Sequence, residues 1–285
     1  MGSEDPAAAV LKPRVLLRQF GLRPDRRLGQ NFLADHAARE RIIKVADLGG
    51  EETVLEIGAG LGALTWRLAQ ECTHVIAVEF DRRLIPILDF TLQNRENVKI
   101  LHGDILELEF EPYLGTDVYH VVANIPYNIT SAVIRRLMEA RKQAERVVLT
   151  VQKEVAERIV AHPGGMSLLA LSVQIYGNPT ISARLPSGAF YPRPKVDSAV
   201  LRIDIHPKPI IPRSLIIPLF RLARAGFGQK RKQLRNALAN GLQLPTDTVY
   251  RWLQVAEIPT SQRAQELSLL DWARLAQAMV DVEGL

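Results

Sequence analysis

The four residues Asn124-Ile125-Pro126-Tyr127 carry groups that suit one kind of chemistry, the methylation of a planar amine. Such an amine is a poor nucleophile, because its lone pair is delocalised into the ring that bears it. The side-chain carbonyl of Asn124 and a backbone carbonyl near Pro126 can each accept one N–H bond and so aim the lone pair, which is catalysis by positioning. Pro126 has no competing N–H, and Tyr127 can stack on a base. The motif therefore indicates methylation of an exocyclic base amine, with a plain strand-ending turn as the alternative.

A glycine-rich turn lies upstream of this motif. Residues 56–62 have the sequence Glu-Ile-Gly-Ala-Gly-Leu-Gly and lie between a short apolar run and a segment of helical pattern. Glycine lets a backbone turn tightly and approach a ligand closely, and α/β folds bind ligands at the carboxyl edge of the sheet. Gly58 and Gly60 are therefore predicted cofactor contacts. The spacing also satisfies the permissive dinucleotide pattern, so the turn alone leaves the ligand open.

Acidic residues follow at the ends of the next two predicted strands. Glu79, 21 positions after Gly58, can accept hydrogen bonds from two ribose hydroxyls. Asp104 can accept from an adenine amino group while Ile105 packs on the ring, although Asp104 alone is also explained as a helix N-cap. Together these positions predict an adenosine-type cofactor. Glu56, ahead of the turn, favours S-adenosylmethionine over NAD, because a pyrophosphate would instead need a helix N-terminus for its two negative charges.

The elements that must position these residues alternate between strand and helix. Short apolar runs predict strands at Thr53–Ile57, His74–Val78, Asn97–Leu101, Val118–Ala123 and Arg146–Val151. Helical patterns between them cover Ala63–Cys72, Asp81–Leu92 and Thr130–Ala140. This alternation predicts a mostly parallel sheet with right-handed crossovers. Two later runs, Asn178–Leu185 and Asp197–Ile205, predict further strands that we expect to pair antiparallel.

The predicted secondary structure changes near His206, from alternating strands and helices to helices alone. After the Pro207–Pro212 stretch, apolar residues recur at helical spacing to the end of the chain. We therefore expect an N-terminal extension over residues 1–24 that is partly flexible, a cofactor-binding catalytic domain over 25–206, and a helical domain over 207–285.

Composition excludes several classes of protein. The single Cys72 excludes a disulfide framework and a multi-cysteine zinc site, and the six histidines show no ligand spacing, so we predict no metal. No apolar run approaches the ~20 residues that span a bilayer, and the N-terminus lacks the pattern of a secretory signal. We expect a cytoplasmic protein without a membrane partner. A location in an organelle is the alternative, although the sequence contains no clear transit peptide.

The net charge of +5 is unevenly distributed along the chain. Six basic residues and no acidic residue fall within one segment of the predicted helical domain: Arg221, Arg224, Lys230, Arg231, Lys232 and Arg235. A second basic stretch runs from Lys12 to Arg27. Each stretch alone is also typical of a solvated helix face, but the two together favour contact with a phosphate backbone.

The order of these motifs resembles that of the ribosomal RNA small-subunit adenine dimethyltransferases. The resemblance is strong from about Arg27 to Ile205 and looser beyond. The segments that carry it are Leu28–Leu33 (LGQNFL), Glu56–Thr65 (EIGAGLGALT), Glu79, Gly103-Asp104, Asn124–Thr130 (NIPYNIT), Gln152–Val155 (QKEV) and Phe190–Val200 (FYPRPKVDSAV). The resemblance implies a Rossmann-like class I methyltransferase sheet, mostly parallel with an antiparallel late strand, followed by a small C-terminal all-α domain.

The resemblance also implies functional residues and a substrate. S-adenosylmethionine would be bound by Gln30, Asn31, Leu33, Gly58, Glu79, Asp104 and Asn124. Residues 28–33 would form a lid over the cofactor, and Phe190 an aromatic wall for the target adenine. The substrate would be two adjacent adenosines in a hairpin loop near the 3′ end of small-subunit rRNA, each converted to N6,N6-dimethyladenosine. The partner would be an assembling 30S-type subunit, on which the basic residues of the C-terminal domain would dock, and we expect a monomer.

Three other functions stay open at this stage. Ile125 is frequent in the related erythromycin-resistance methyltransferases, which act on large-subunit rRNA, whereas the QKEV and KVDSAV segments favour the small-subunit branch. A non-catalytic assembly or transcription factor of the same fold is a second alternative, against which the intact Asn124 and Tyr127 argue. An NAD oxidoreductase would leave the Asn-Ile-Pro-Tyr motif unexplained.

Overall fold

The computed structural model describes residues 12–115 and 118–284 and divides into two compact units. The first unit runs to Ala156 and resumes over Pro179–Ile205. The second consists of Glu157–Asn178 and His206–Leu285. The flexibility expected for the start of the chain falls largely on residues 1–11, which lie outside the described residues. Within the described ranges, no helix is both long and apolar enough to cross a bilayer.

The strands are β1 Phe32–Leu33, β2 Thr53–Ile57, β3 His74–Glu79, β4 Val98–His102, β5 Tyr119–Asn124, β6 Arg146–Gln152, β7 Gly177–Leu185, β8 Phe190–Tyr191 and β9 Ser198–Ile205. The helices are α1 Pro13–Gln19, α2 His36–Ala46, α3 Ala63–Leu68, α4 Ile85–Leu92, α5 Thr130–Glu139, α6 Lys153–Ile159, α7 Leu168–Gln174, α8 Arg213–Gly228, α9 Leu234–Leu242, α10 Thr246–Val255 and α11 Leu269–Glu283. This order confirms the predicted alternation of strands and helices and the helical C-terminal part.

A seven-stranded sheet has the order β4-β3-β2-β5-β6-β9-β7. The pairs from β4 to β6 are parallel, and β9 runs antiparallel to β6 with Ser198 opposite Gln152. The mostly parallel sheet with an antiparallel late strand is therefore confirmed. The chain moves outward from β2 to β4 and then returns to β5 on the other side of β2. The carboxyl ends of β2 and β5 consequently flank a topological switch point, where such sheets bind ligands.

Burial explains why these short runs form strands. Every residue of β2 is buried, as is every residue of β3 after His74. Continuous buried runs of this kind are typical of parallel strands that are covered on both faces. Helix α2 covers part of one face, since its Ala38 and Ile42 belong to the same buried cluster as Val54 of β2.

Helix α3 is shorter than predicted and ends at Leu68 rather than Cys72. The side-chain amide of Asn97 donates to the carbonyl oxygens of Ala69 and Cys72, at 3.0 and 3.1 Å. These bonds satisfy carbonyl groups beyond the end of the helix, which have no partner within it. The contact comes from a residue more than twenty positions away, which a local helical pattern does not reveal.

The segment before the seven-stranded sheet contains a strand to which the sequence analysis assigned no element. Phe32–Leu33, within the predicted lid, pairs antiparallel with Phe190–Tyr191. The described part of the expected extension contains helix α1. Its Leu16 and Leu17 are buried in one cluster with Phe32. Apolar contact therefore fixes α1 to the first unit.

The second unit has its own helical core. Trp252 of α10 and Trp272 of α11 are fully buried in it. Residues 157–178, which the sequence analysis placed in the first domain, belong to this unit. The reason is hydrophobic: Leu171 of α7 and Ile175 are fully buried in the same cluster as the two tryptophans.

Candidate active site

A cavity of about 280 Å³ lies at the carboxyl ends of strands β2 to β5. It is lined by backbone and side chains from the glycine turn, the two following strand ends, the Asn-Ile-Pro-Tyr segment and the predicted lid. The lining residues that the sequence analysis named are Gln30, Asn31, Gly58, Gly60, Glu79, Asp104, Ile105, Asn124, Pro126 and Tyr127. The structure therefore brings most of the candidate residues to one place.

The glycine turn has a backbone that other residues rarely adopt. Gly58, Gly60 and Gly62 have φ values of +76°, +60° and +82°. A Cβ at Gly60 would lie 3.2 Å from the ring of Phe32, and one at Gly62 would lie 2.6 Å from the Thr91 hydroxyl. Glycine is needed here both for the positive φ and for the close approach of neighbouring groups.

Glu79 stands at the end of β3 and is 6% exposed. One carboxylate oxygen accepts from the N–H of Gly60 and the other from the N–H of Asp81, each at 2.7 Å. Burial raises the pKa of Glu79, although both hydrogen bonds act in the opposite direction. The two bonds fix the carboxylate against the glycine turn, and each oxygen keeps a lone pair for a ribose hydroxyl.

Glu56 is a buried acid without a hydrogen-bond partner for one oxygen. The residue is 1% exposed, and no described group bonds its Oε2. Burial, together with the nearby charge of Glu79, raises the pKa of Glu56 to about 8. Glu56 lines a smaller cavity, which is also lined by Gly58, Gly60 and Asn124. An unsatisfied acid in this position is suited to receive a cationic group of a ligand.

The end of β4 supplies one polar and one apolar group, and the end of β3 adds an aromatic ring. One Asp104 oxygen accepts from the N–H of Leu106 at 2.9 Å, but a turn and not a helix follows, so Asp104 is not the helix N-cap considered as the alternative. Its neighbour Ile105 is 4% exposed and lines the cavity. Phe80, directly after Glu79, is 56% exposed and also lines the cavity. Phe80 was missed in the sequence analysis, although an aromatic residue directly after the predicted ribose-binding acid was a usable signal.

The lid is held by a specific set of bonds. The Gln30 side chain donates to Asp81 and accepts from the N–H of Asp25, both at 2.7 Å. Arg83 bonds the Asp81 carboxylate at 2.7 and 2.8 Å, and this pairing lowers the pKa of Asp81. Leu33 does not line the main cavity. It lies opposite Phe190 in the β1–β8 ladder and lines only the smaller adjoining cavity.

Asn124 ends β5 and connects the lid to the Asn-Ile-Pro-Tyr motif. Its Nδ2 donates to the backbone carbonyl of Asn31 at 3.1 Å. Since a carbonyl can only accept, this bond fixes which way the amide points. The carbonyl of Pro126 accepts from the Ile129 N–H at 3.3 Å and from the Thr130 hydroxyl at 3.4 Å. The preceding carbonyl, that of Ile125, is therefore the better candidate for the second acceptor.

Tyr127 is positioned by a residue that the sequence analysis did not consider. Its hydroxyl lies 2.6 Å from the hydroxyl of Ser198, which is fully buried at the start of β9. Burial raises the pKa of Tyr127, and the Ser198 bond opposes that shift. The antiparallel strand thus reaches the ring that lines the cavity. The two residues are 71 positions apart in the sequence, so the contact can be seen only once β9 is known to pair with β6.

Phe190 is the expected base-contacting residue that the structure does not bring to the cavity. It is 3% exposed and belongs to the buried cluster of the first unit, together with Leu33 and Val200. Phe190 is not among the residues that line the cavity, and its role as an aromatic wall for the target adenine stays a prediction. The physical reason for its burial is the β1–β8 pairing, which turns the Phe190 ring into the core.

The six basic residues of the C-terminal segment lie in the second unit. Arg221 and Arg224 are exposed on α8, Lys230, Arg231 and Lys232 are exposed after it, and Arg235 is half-buried on α9. Within the described ranges, none of the six is paired with an acidic side chain. They are available to an anionic partner.

The lining of the cavity suits the cofactor that the sequence analysis favoured. Glu79 and Asp104 line the main cavity and Glu56 the adjoining one, whereas no described Lys or Arg lines either. This acidic lining fits the positively charged sulfonium and ammonium groups of S-adenosylmethionine. The unsatisfied oxygen of Glu56 supports the same fit. No described group of three or more His, Cys, Asp or Glu could hold a metal ion.

The fold and the site together define a Rossmann-like methyltransferase that uses S-adenosylmethionine. A family model described as ribosomal RNA adenine dimethylase matches residues 22–280. The chain belongs to that family.

Relatives and solved structures agree with this assignment. Ribosomal RNA small subunit methyltransferase A of Dehalococcoides mccartyi strain CBDB1 is 44% identical over 267 residues, covering 93% of this chain and 92% of the relative. The protein of that name from Alkaliphilus metalliredigens strain QYMF is 35% identical over 281 residues, covering 96% and 98%. The crystal structure of a dimethyladenosine transferase from Plasmodium falciparum matches with a TM-score of 0.71 at 25% identity, covering 88% of this chain and 98% of that one. The crystal structure of the 23S rRNA methyltransferase ErmE matches with a TM-score of 0.69 at 25% identity, covering 87% of this chain and 99% of that one.

We predict that Glu56→Gln stabilises the cofactor-free protein and weakens cofactor binding. The carboxyl has a pKa near 8 in the folded protein and an ordinary value of 4.5. The unfolded chain therefore releases its proton first, and the free energy of unfolding falls as pH rises from 4.5 to 8. Glutamine has no proton to release, so the substitution removes this loss of stability. It should raise the free energy of unfolding at pH 7 by about 1–3 kcal/mol.

Denaturant unfolding between pH 5 and 8 and calorimetric titration with S-adenosylmethionine would measure both effects. Glu51→Gln, at an exposed glutamate, is the matched control and should change neither. A Glu56→Gln protein with unchanged stability and unchanged cofactor affinity would contradict this account of Glu56.

We predict that Ser198→Ala lowers kcat about fivefold, because losing a hydrogen bond worth about 1 kcal/mol loosens the Tyr127 ring. Tyr127→Phe should have a similar effect. The double variant should be no slower than either single variant, since both remove the same bond. Ser198→Thr keeps a hydroxyl and should recover activity.

Steady-state methylation kinetics of the variants would check this coupling. Thr53→Val, at a buried hydroxyl at the opposite end of the sheet, controls for loss of a buried polar group and should leave kcat unchanged. Strictly additive effects of the Ser198 and Tyr127 changes would show that the bond has no role in positioning.

Proposed function

We propose that the protein dimethylates the N6 amines of two adjacent adenosines in the 3′-terminal hairpin loop of small-subunit rRNA, using S-adenosylmethionine. The proposed substrate is an assembling 30S-type subunit, which gives the enzyme a role in subunit biogenesis. We further propose that it acts as a monomer in the cytoplasm. The family and the relatives named ribosomal RNA small subunit methyltransferase A support the substrate class.

The orientation of the Asn124 amide is the observation that carries this proposal. Its Nδ2 is committed to the carbonyl of Asn31 at 3.1 Å, and no described group donates to its Oδ1. Oδ1 is consequently left as an acceptor at the wall of the cavity. An amine with two N–H groups fits this acceptor together with the Ile125 carbonyl. Adenine N6 is such an amine, whereas a ring nitrogen without hydrogens is not.

The bound cofactor supplies a methyl group on a positively charged sulfur. The residues of the chain hold the amine so that its lone pair points along the line of that bond. Accepting both N–H bonds at Asn124 and Ile125 draws the nitrogen toward a pyramidal shape, in which the lone pair is no longer fully delocalised. The bound cofactor would give up its methyl group to the amine held in this way, and the methylated nitrogen, which is acidic, would pass its proton to solvent water.

Positioning of this kind needs no strong general base. The Asn124 amide is neutral, and no histidine lines either cavity. Holding the reacting atoms in line can supply several kcal/mol of the barrier reduction. Tyr127 contributes by stacking on the base, which is worth ~1–3 kcal/mol in single-stranded nucleic acid complexes.

The target base has to leave its stack to reach this cavity, which is easiest in a hairpin loop. A second transfer to the same nitrogen requires that the monomethylated amine, with one N–H left, is still held. Either acceptor can hold that N–H. The site is therefore compatible with dimethylation, and the same argument applies to the second adenosine.

Large-subunit rRNA is the alternative substrate. The structural match to the 23S rRNA methyltransferase ErmE at 25% identity is the observation that favours it. The higher identity to relatives named for the small subunit, 44% in Dehalococcoides mccartyi, supports the first proposal instead.

We predict that the protein transfers label from S-adenosylmethionine to unmethylated small subunits and that Asn124→Ala reduces this transfer at least a hundredfold. The loss follows from removing one of the two acceptors that orient the amine. Mass analysis of nucleosides should find two N6,N6-dimethyladenosines per small subunit, and mapping should place them side by side.

Asn240→Ala, at an exposed asparagine of α9, is the matched control and should be as active as the unmodified protein. Circular dichroism and subunit binding should be retained in both variants. Label found only in large subunits would overturn the proposed substrate. Normal turnover by Asn124→Ala would overturn the mechanism.

A further inference from the structure

We propose that the N-terminal arm, defined as Lys12–Arg27, is a second rRNA-binding surface that contacts phosphates next to the active-site cavity. This inference rests on the proposed function, because it takes rRNA as the substrate. The six basic residues of the C-terminal segment lie in the second unit. The arm belongs to the same unit as the cavity, so its position relative to the reacting groups is defined.

The charge of the arm is concentrated and exposed. Its six basic residues are all solvent-exposed: Lys12, Arg14, Arg18, Arg23, Arg26 and Arg27. None of them pairs with an acidic side chain in the described structure. The single acid of the arm, Asp25, faces Arg83 at 3.4 Å. In contrast, the rest of the first unit, residues 28–156 and 179–205, contains 18 Lys plus Arg and 21 Asp plus Glu. The arm is thus a local positive surface on a slightly acidic unit.

The arm is firmly attached beside the cavity. Leu16 and Leu17 of α1 are buried with Phe32, a residue of the lid that lines the cavity. The ring of Phe20 packs edge-on against Phe90 with centroids 5.7 Å apart. Pro13 lines the smaller cavity that also contains Asn124. These contacts cover one side of α1, and its charged residues are left on the other.

The turn that joins the arm to the lid is pre-formed. The Asp25 carboxylate accepts from the N–H of Arg27 at 2.8 Å, and the N–H of Asp25 donates to Gln30 at 2.7 Å. The N–H of Gly29 donates to the carbonyl of Arg26 at 3.2 Å. The backbone bonds hold the turn, while the side chains of Arg26 and Arg27 are exposed at its tip. A pre-formed surface loses less entropy on binding.

The chemistry of the arm favours phosphate as its ligand. Five of the six cations are arginines, whose planar guanidinium groups bind phosphate oxygens in pairs. The residues are spread along a helix and a turn rather than gathered in one pocket, which suits a polyanion with regularly spaced charges. We infer that they hold the nucleotides flanking the target adenosines. An acidic protein of the subunit is the competing partner.

The test removes three arm charges, in the triple variant Arg18→Gln, Arg23→Gln and Arg26→Gln. We expect KM for small subunits and Kd for a protein-free rRNA fragment containing the target hairpin to rise about 10- to 100-fold. The dependence of log Kd on log salt should become shallower by about 2, as expected for three lost contacts with single-stranded RNA. The calorimetric affinity for S-adenosylmethionine should stay unchanged.

The matched control removes three exposed charges elsewhere in the same unit, by Lys44→Gln, Lys99→Gln and Arg184→Gln. It should leave the salt slope and KM close to those of the unmodified protein. Equal effects of the two triple variants, or no effect of the arm variant, would overturn the inference. An effect on whole subunits but not on the protein-free fragment would overturn it in favour of a protein partner. Failure of the unmodified protein to methylate small subunits would instead overturn the proposed function.

Discussion

The hydrogen bond from the Asn124 side-chain amide to the Asn31 carbonyl is the interaction on which the active site depends. It joins the end of β5, where the target amine would be held, to the lid over the cofactor. Because it occupies Nδ2, it leaves Oδ1 to accept from a substrate. In the proposed mechanism, this 3.1 Å contact would couple enclosure of the cofactor by residues 28–33 to the orientation of the Asn124 amide. The Gln30–Asp81 bond and the β1–β8 pairing keep the lid where this contact can form.

The site also carries a cost in stability that the cofactor offsets. Glu56 and Glu79 are buried close to each other, and the pKa of each is raised. Buried acids destabilise the cofactor-free protein, since burial disfavours their charged forms. A cationic group of the ligand beside Glu56 would offset this cost, because a nearby positive charge favours the charged form of the acid.

Most of the fold and much of the candidate site could be predicted from the sequence, because both depend on patterns of residues that are close together in the chain. Apolar runs and glycine turns predicted the strands and placed Gly58, Glu79, Asp104 and Asn124 at one edge of the sheet. The contacts that local patterns could not predict are tertiary ones. Ser198 reaches Tyr127 only because β9 inserts beside β6, and Phe190 is turned into the core by pairing with Leu33. Residues 157–178 join the helical unit through buried apolar side chains, and this grouping has no local signal.

We propose that the Asn124 amide, held by residues 28–33, presents its oxygen to the target adenine. A crystal structure with S-adenosylhomocysteine and a short hairpin RNA carrying the two adenosines would show whether it does. We expect a flipped adenine in the cavity with N6 about 2.7–3.2 Å from Asn124 Oδ1, and Nδ2 still bonded to Asn31. An adenine bound away from Asn124, or an amide that presents its nitrogen to the base, would show that Asn124 does not hold the target amine.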